Sequence, residues 1–315
     1  MRPIFIIAAA GFAALPILSG PAWAGPGANR TFVSGSGSDA NPCSLSAPCR
    51  SFAQALTQTS AGGEIAVLDT AGYGAVTITK SVTILNEEGV EAGITVTSGD
   101  AITINAAAAD VVNLRGLTLV GAGGNNGITY TSGTVLNVQN CVIRGFTGAG
   151  IALSPTASAN INISNTIVSG NNSDGISLEP SGSGITVTAS FEQIQAIHNG
   201  GNGFSVFAFG MTGGGTLNAI AADSLASGNG GAGFSVSSLI GRVAPIFTVA
   251  NSKAANNGTG VLSAPNSVMF LNASTVSGNF TDGFLVEAGG AIFSYGNNAI
   301  TDTTNSGSLT PTSLR

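Results

Sequence analysis

From residue 127 onward, apolar and polar positions follow one recurring pattern: a tight glycine turn, then an apolar–polar–apolar triplet. It reads "GAGIAL" at 148–153, "DGISL" at 174–178, "GNGFSV" at 201–206, "GAGFSV" at 231–236 and "TDGFLV" at 281–286. Taking the last glycine of each turn as an anchor, Gly127, Gly150, Gly175, Gly203, Gly233, Gly260 and Gly283 are separated by 23, 25, 28, 30, 27 and 23 residues. After the anchor comes an inward apolar residue, such as Ile176, Phe204, Phe234 or Phe284, followed by Ser177, Ser205 or Ser235 facing outward. Such alternation predicts a strand with one face inside and one outside. A second apolar run stands upstream in each repeat, as in "LNV" at 136–138, "INI" at 161–163 and "MFL" at 269–271. Two or more strands with their turns in ~25 residues leave no room for a helix. The pattern predicts a single all-β solenoid, each strand stacked in parallel on its equivalent in the next coil.

Four positions before the anchor stand Asn171, Asn199, Asn229, Asn256 and Asn279, in five consecutive repeats. A carboxamide both donates and accepts, so copies stacked ~4.8 Å apart can bond into a ladder along the turn. His198, the single histidine, lies where other repeats place Gly145, Gly170, Gly228 and Gly278, and reads as a turn residue. Cys141 aligns with Thr118, Thr166, Ser224 and Ser274, which makes it a small stacked residue and not a nucleophile.

At the front, "CRSFAQALTQTSAGG" (49–63) predicts a short capping helix with Phe52 and Leu56 on one face, ended by Gly62 and Gly63. The tail, 301–315, reads as a loose closing segment. Cys43 and Cys49 enclose a short loop. A disulfide and a zinc site are the two readings; zinc needs two further ligands, and the lone histidine is remote, so the disulfide is favoured.

The first 24 residues add a compartment. Arg2 gives a basic start, residues 4–18 an apolar run too short to span a membrane, and Ala22-Trp23-Ala24 a small-x-small cleavage site. This predicts a secreted or periplasmic protein divided into a signal peptide (1–24), an N-terminal segment with the cysteine loop and helix (25–61), the solenoid (62–300) and the tail. Removing 24 of 315 residues leaves 291, or about 11 coils at a period near 26. It also removes Arg2, so eight basic residues face 15 acidic ones, which argues against nucleic acid or an anionic membrane as the partner.

"PCRSFAQAL" followed by "GGEIAVLDTAGYGAVTITKSVTI" resembles the opening of secreted bacterial right-handed parallel β-helix proteins of the pectin-lyase-like superfamily. The resemblance extends over about residues 30–300. It implies a right-handed coil and raises carbohydrate chemistry as an expectation, although this fold carries lyases, hydrolases, adhesins and others. The polygalacturonase-type members would imply an Asp-Asp pair, Gly-His-Gly and Arg-x-Lys, none of which is present. The pectate-lyase-like members would imply an acidic calcium cluster and a base.

Here Asp174 pairs by alignment with Asp282, and Glu179 with Glu287, four coils or ~19 Å apart, too far to share an ion or a bond. Glu179, Glu192 and Asp223 are the acids that could converge from different positions. Phe207 and Phe209 are expected in the core, the alternative being a ligand patch. The expectation is therefore a non-catalytic β-helix that binds glycans or surface partners along a polar face, with no cofactor. The rival is a polysaccharide lyase or hydrolase, with calcium only if it is a lyase.

Overall fold

The computed structural model describes residues 27–87 and 89–313. The expected signal peptide lies outside the described residues. The chain winds into a parallel solenoid with three sheets, of 12, 10 and 9 strands, visited in that order within each coil. Nine coils contribute a strand to all three, from Thr59–Val67 through Asp282–Val286, so the solenoid has about nine complete turns where the period predicted 11. The difference lies at the ends, where residues form caps and closing strands.

Each repeat holds three strands: the two read from the triplets and a short third between them, such as Ile167–Ser169 or Leu225–Ser227. Register is strict. In the 12-stranded sheet Ile84, Leu114, Val138, Ile163 and Phe191 succeed one another inward, all fully or almost fully buried. Phe204 and Phe234 stack at 4.9 Å, and Phe191 and Phe247 flank them at 5.8 and 6.2 Å. Each such side chain withdrawn from water contributes roughly 1.5–3 kcal/mol.

Two of the three corners are built from backbone in the left-handed region. One holds Gly145, Gly170, His198, Gly228, Asn256 and Gly278, so His198 is the turn residue expected. The asparagine ladder begins one residue later. Asn171, Asn199, Asn229, Asn257 and Asn279 are its rungs, each Nδ2 donating to the next Oδ1 at 2.9–3.1 Å. Asn256 is not a rung: it is exposed, with φ of 57°, and belongs to the glycine row. The turn in that coil is one residue shorter, so counting back four from Gly260 overshoots.

The anchor glycines are fixed by this ladder. A Cβ on Gly203 would sit 2.7 Å from the Gly233 carbonyl oxygen and 2.9 Å from Asn229 Nδ2. No side chain fits there.

The other corner carries Gly116, Asn140, Asn165, Gln193, Asp223, Asn251 and Ala273, each left-handed. After them Thr166, Ser224, Ser252 and Ser274 accept, through their hydroxyls, the N–H of the preceding coil at 3.1–3.3 Å. Cys141 belongs to that row and is buried. Thr118 does not: it pairs with Val142, which puts Leu117 beside Cys141.

The helix is Phe52–Gln58, shorter than the sequence suggested, with Phe52, Ala55 and Leu56 buried. Ser51 caps it by accepting the Gln54 N–H at 3.2 Å. It stops before Gly62 because Thr59–Val67 is needed as a strand against Ala28–Val33. At the other end the tail is not loose. Asp302 accepts the Asn279 N–H and Nδ2, closing the ladder, and Leu309–Pro311 pairs with Gly290–Ser294. No helix among the described residues is long and apolar enough to cross a membrane.

Candidate functional site

The outer face of the 12-stranded sheet carries a second polar row, made by the middle residues of "VNL", "LNV" and "INI". Asn113 Nδ2 donates to Thr83 Oγ1 at 3.0 Å, Asn137 to Asn113 Oδ1 at 2.7 Å, and Asn162 to Asn137 Oδ1 at 2.9 Å. In the neighbouring row Thr188 donates to Asn160 Oδ1 at 2.5 Å. Each carboxamide has two N–H groups and two oxygen lone pairs, and a rung uses one of each. One donor and one acceptor per coil remain free on an open face, repeating at the ~4.8 Å strand spacing.

Further along the same register the face turns apolar. Asn162 pairs with Ser190, Ser190 with Ile220, Ile220 with Thr248, and Thr248 with Phe270. Ile220 and Ile246 are 37% and 38% exposed and line an open groove of about 420 Å³ with Asn162, Thr188, Asn218 and Thr248. Phe270 and Phe293 then stack at 5.3 Å with Tyr295 at 6.3 Å, all three half-buried. Arg242 and residues Gly213–Gly215, from loops of adjacent coils, border a second hollow that shares Asn218 and Ile246 with the first.

The acidic candidates lie off this groove. Glu192 is the outward end of strand Thr186–Glu192; Asp223 is in the next coil, one position beyond the residue that pairs with Glu192. These two share a sheet edge. Asp223 is held in the left-handed turn and accepts from Asn251 Nδ2. Glu179 follows strand Ile176–Leu178 at the opposite edge, separated by the width of the 12-stranded sheet, roughly 20 Å for a seven-residue strand. Its carboxyl is raised above the usual range by burial and by the charge of Asp174. The three acids therefore do not converge.

Asp174 itself is engaged, accepting the Asn202 N–H at 2.7 Å and the Ser205 hydroxyl at 2.6 Å. Among the described residues no three His, Cys, Asp or Glu side chains gather as metal ligands. The one ion pair among them, Arg30 Nε to Glu64 at 2.7 Å, closes the first coils.

Phe207 and Phe209 are not core residues. Phe204 and Val206 use the inward positions, so Phe207 points out, and the two rings stack on the surface at 5.1 Å, half-buried. Phe284, also expected inside, is half-buried at the last complete coil. Cys43 and Cys49 are joined by a disulfide, with Cα atoms 4.5 Å apart. Burial pushes the Cys141 thiol up to about 11.

This is a right-handed β-helix whose 12-stranded sheet presents a long outer face. The chain belongs to the family described as right handed beta helix region, which matches residues 126–300, more than half of its length. No curated protein sequence matches it. Among solved structures it is similar to pectate lyase Pel9A, at 16% identity and a TM-score of 0.56, covering 91% of this chain and 80% of that one. It is also similar to a rhamnogalacturonan lyase, at 12% identity and a TM-score of 0.50, covering 80% and 75%. At such identity the likeness is one of fold.

Proposed function

We propose that this protein is an exported, non-catalytic β-helix that binds polysaccharide along the outer face of its 12-stranded sheet. The observation that supports this most is the outward carboxamide row of Asn113 and Asn137, half-buried, and Asn162, exposed, which shares its register with an aromatic cluster farther along the sheet. It offers a free donor and a free acceptor at each of three successive coils, the pairing a sugar hydroxyl needs. The basic start and cleavage-site pattern of residues 1–24 support secretion or a periplasmic location. The fold likeness to polysaccharide lyases adds a reason to test carbohydrate first.

Lyase chemistry needs a charge-stabilising group and a positioned base, and hydrolysis needs two carboxyl groups flanking a bond. The polar row and groove hold no acid. The enzyme reading has one observation in its favour, the proximity of Glu192 and Asp223 in adjacent coils. Incubation with pectate, polygalacturonate and alginate, with and without calcium, tests it directly. No unsaturated or reducing ends are expected. Turnover abolished by Glu192→Gln or Asp223→Asn would establish an enzyme, and co-sedimentation with no insoluble polysaccharide would remove the binding function.

A further inference from the structure

We infer that the polysaccharide is uncharged, its sugar rings seated on Phe270, Phe293 and Tyr295 and its hydroxyls on the carboxamide row. This rests on the glycan-binding function proposed above and names the class of ligand. The first argument is charge. Of the outward positions in the three central rows of the sheet between Thr83 and Tyr295, only Arg115 and Glu192 are ionised, and they are opposite in sign. A polyuronate carries a carboxylate on every sugar and needs cations to hold it. This face has Arg115, with Arg242 bordering the adjoining hollow, too few to match a carboxylate on every sugar along the row, and the chain as a whole is net negative at −6.

The second argument is hydrogen-bonding valence. A carboxylate only accepts, so it would use the free N–H of each rung and leave the free carbonyl lone pair facing an anion. A hydroxyl satisfies both. The third is the aromatic trio. A pyranose ring presents C–H groups on its faces and hydroxyls at its rim, and the stacked Phe270–Phe293 pair offers an apolar strip four coil steps, about 19 Å, beyond Asn162, so that carboxamides and rings engage different sugars of one chain. Asn113 to Phe293 is seven coil steps, about 34 Å at the strand spacing, which suits a chain and not a single sugar.

The test is native gel electrophoresis of the mature protein through gels containing mixed-linkage β-glucan, dextran, pectate or alginate, the last two with and without calcium. Retardation by at least one neutral polymer and by neither polyuronate is expected. Phe270→Ala/Phe293→Ala should weaken the neutral interaction at least tenfold. Should that double variant fold poorly, Phe270→Leu/Phe293→Leu keeps the bulk and removes the rings, with the same loss expected.

Stronger retardation by a polyuronate would overturn the neutral-glycan inference while leaving polysaccharide binding intact. Retardation by none of the four polymers would overturn both. Neutral binding that survives loss of both rings would remove the platform from the account. A concentration-dependent dimer in sedimentation, abolished by the same substitutions, would show that a second copy of the chain covers the face.

Discussion

Two rows of asparagine run along this solenoid, made of the same side chain at the same spacing. The row from Asn171 to Asn279 lies in a corner, mostly buried; that from Asn113 to Asn162 lies on a sheet face in contact with water. In the corner, from Asn199 to Asn279, both N–H groups of every carboxamide are engaged. Asn229 donates to Ala196 O and Asn257 Oδ1, and its own oxygen accepts both the N–H and Nδ2 of Asn199. On the face each rung keeps a donor and an acceptor free. Burial turns the first row into architecture, because an unpaired group there has no water to fall back on. Exposure leaves the second with unused hydrogen-bonding capacity, so it adds little to stability and is available to a ligand.

The sharpest way to break this contrast is the same substitution in each row. Asn229→Leu leaves several buried groups without partners, at about 1–3 kcal/mol for each that cannot relax, and a total loss of roughly 3 kcal/mol is expected in chemical unfolding. Asn137→Leu, in water, should change stability by less than about 0.5 kcal/mol. Equal losses would dissolve the distinction.

Next in size is Gly203→Ala. Its methyl group would press on the Gly233 carbonyl and on Asn229 Nδ2, for an expected loss of about 1–3 kcal/mol. A neutral outcome would mean that the anchor glycines do not depend on the ladder.

Kinetics sharpen the contrast further. Cys141 is buried, its thiol held protonated by a value near 11, so alkylation at neutral pH must wait for the structure to open. Asn229→Leu should speed labelling by on the order of a hundredfold, following the 3 kcal/mol loss if opening is global. Asn137→Leu should leave the rate unchanged. Fast labelling of the unaltered protein would contradict the burial.

The smallest expected effect is Asn256→Gly. Asn256 occupies the left-handed position that four other coils fill with glycine, so stability should move by less than about 0.5 kcal/mol, whereas Asn257→Leu should behave like Asn229→Leu. The reverse order would restore Asn256 to the ladder.

The corner row was legible in the sequence because its asparagines keep a fixed distance from glycines that also repeat. It failed at Asn256, where two asparagines are adjacent and the turn loses a residue; hydrogen bonding, not spacing, decides which of the two is buried. The face row could have been read from "VNL", "LNV" and "INI". What hid it is that an outward strand position tolerates almost any polar residue, so three asparagines there carry weaker pattern than five in a turn. Phe207 departs from expectation for the opposite reason: hydrophobicity alone favours the core, and only the alternation set by Phe204 and Val206 sends it outside. The helix end at Gln58 and the bound tail depended on pairings with distant strands, Ala28–Val33 and Gly290–Ser294, which local sequence does not display.

The central claim is that the exposed row is a binding track and not a second structural ladder. Titration calorimetry of mixed-linkage β-glucan against the mature protein and the triple variant Asn113→Leu/Asn137→Leu/Asn162→Leu, with melting recorded on both samples, tests it most directly. The account predicts binding by the unaltered protein, at least a tenfold loss in the variant, and melting temperatures within a few degrees of each other. Undiminished binding by the variant, or a melting temperature that collapses as it should for Asn229→Leu, would contradict it.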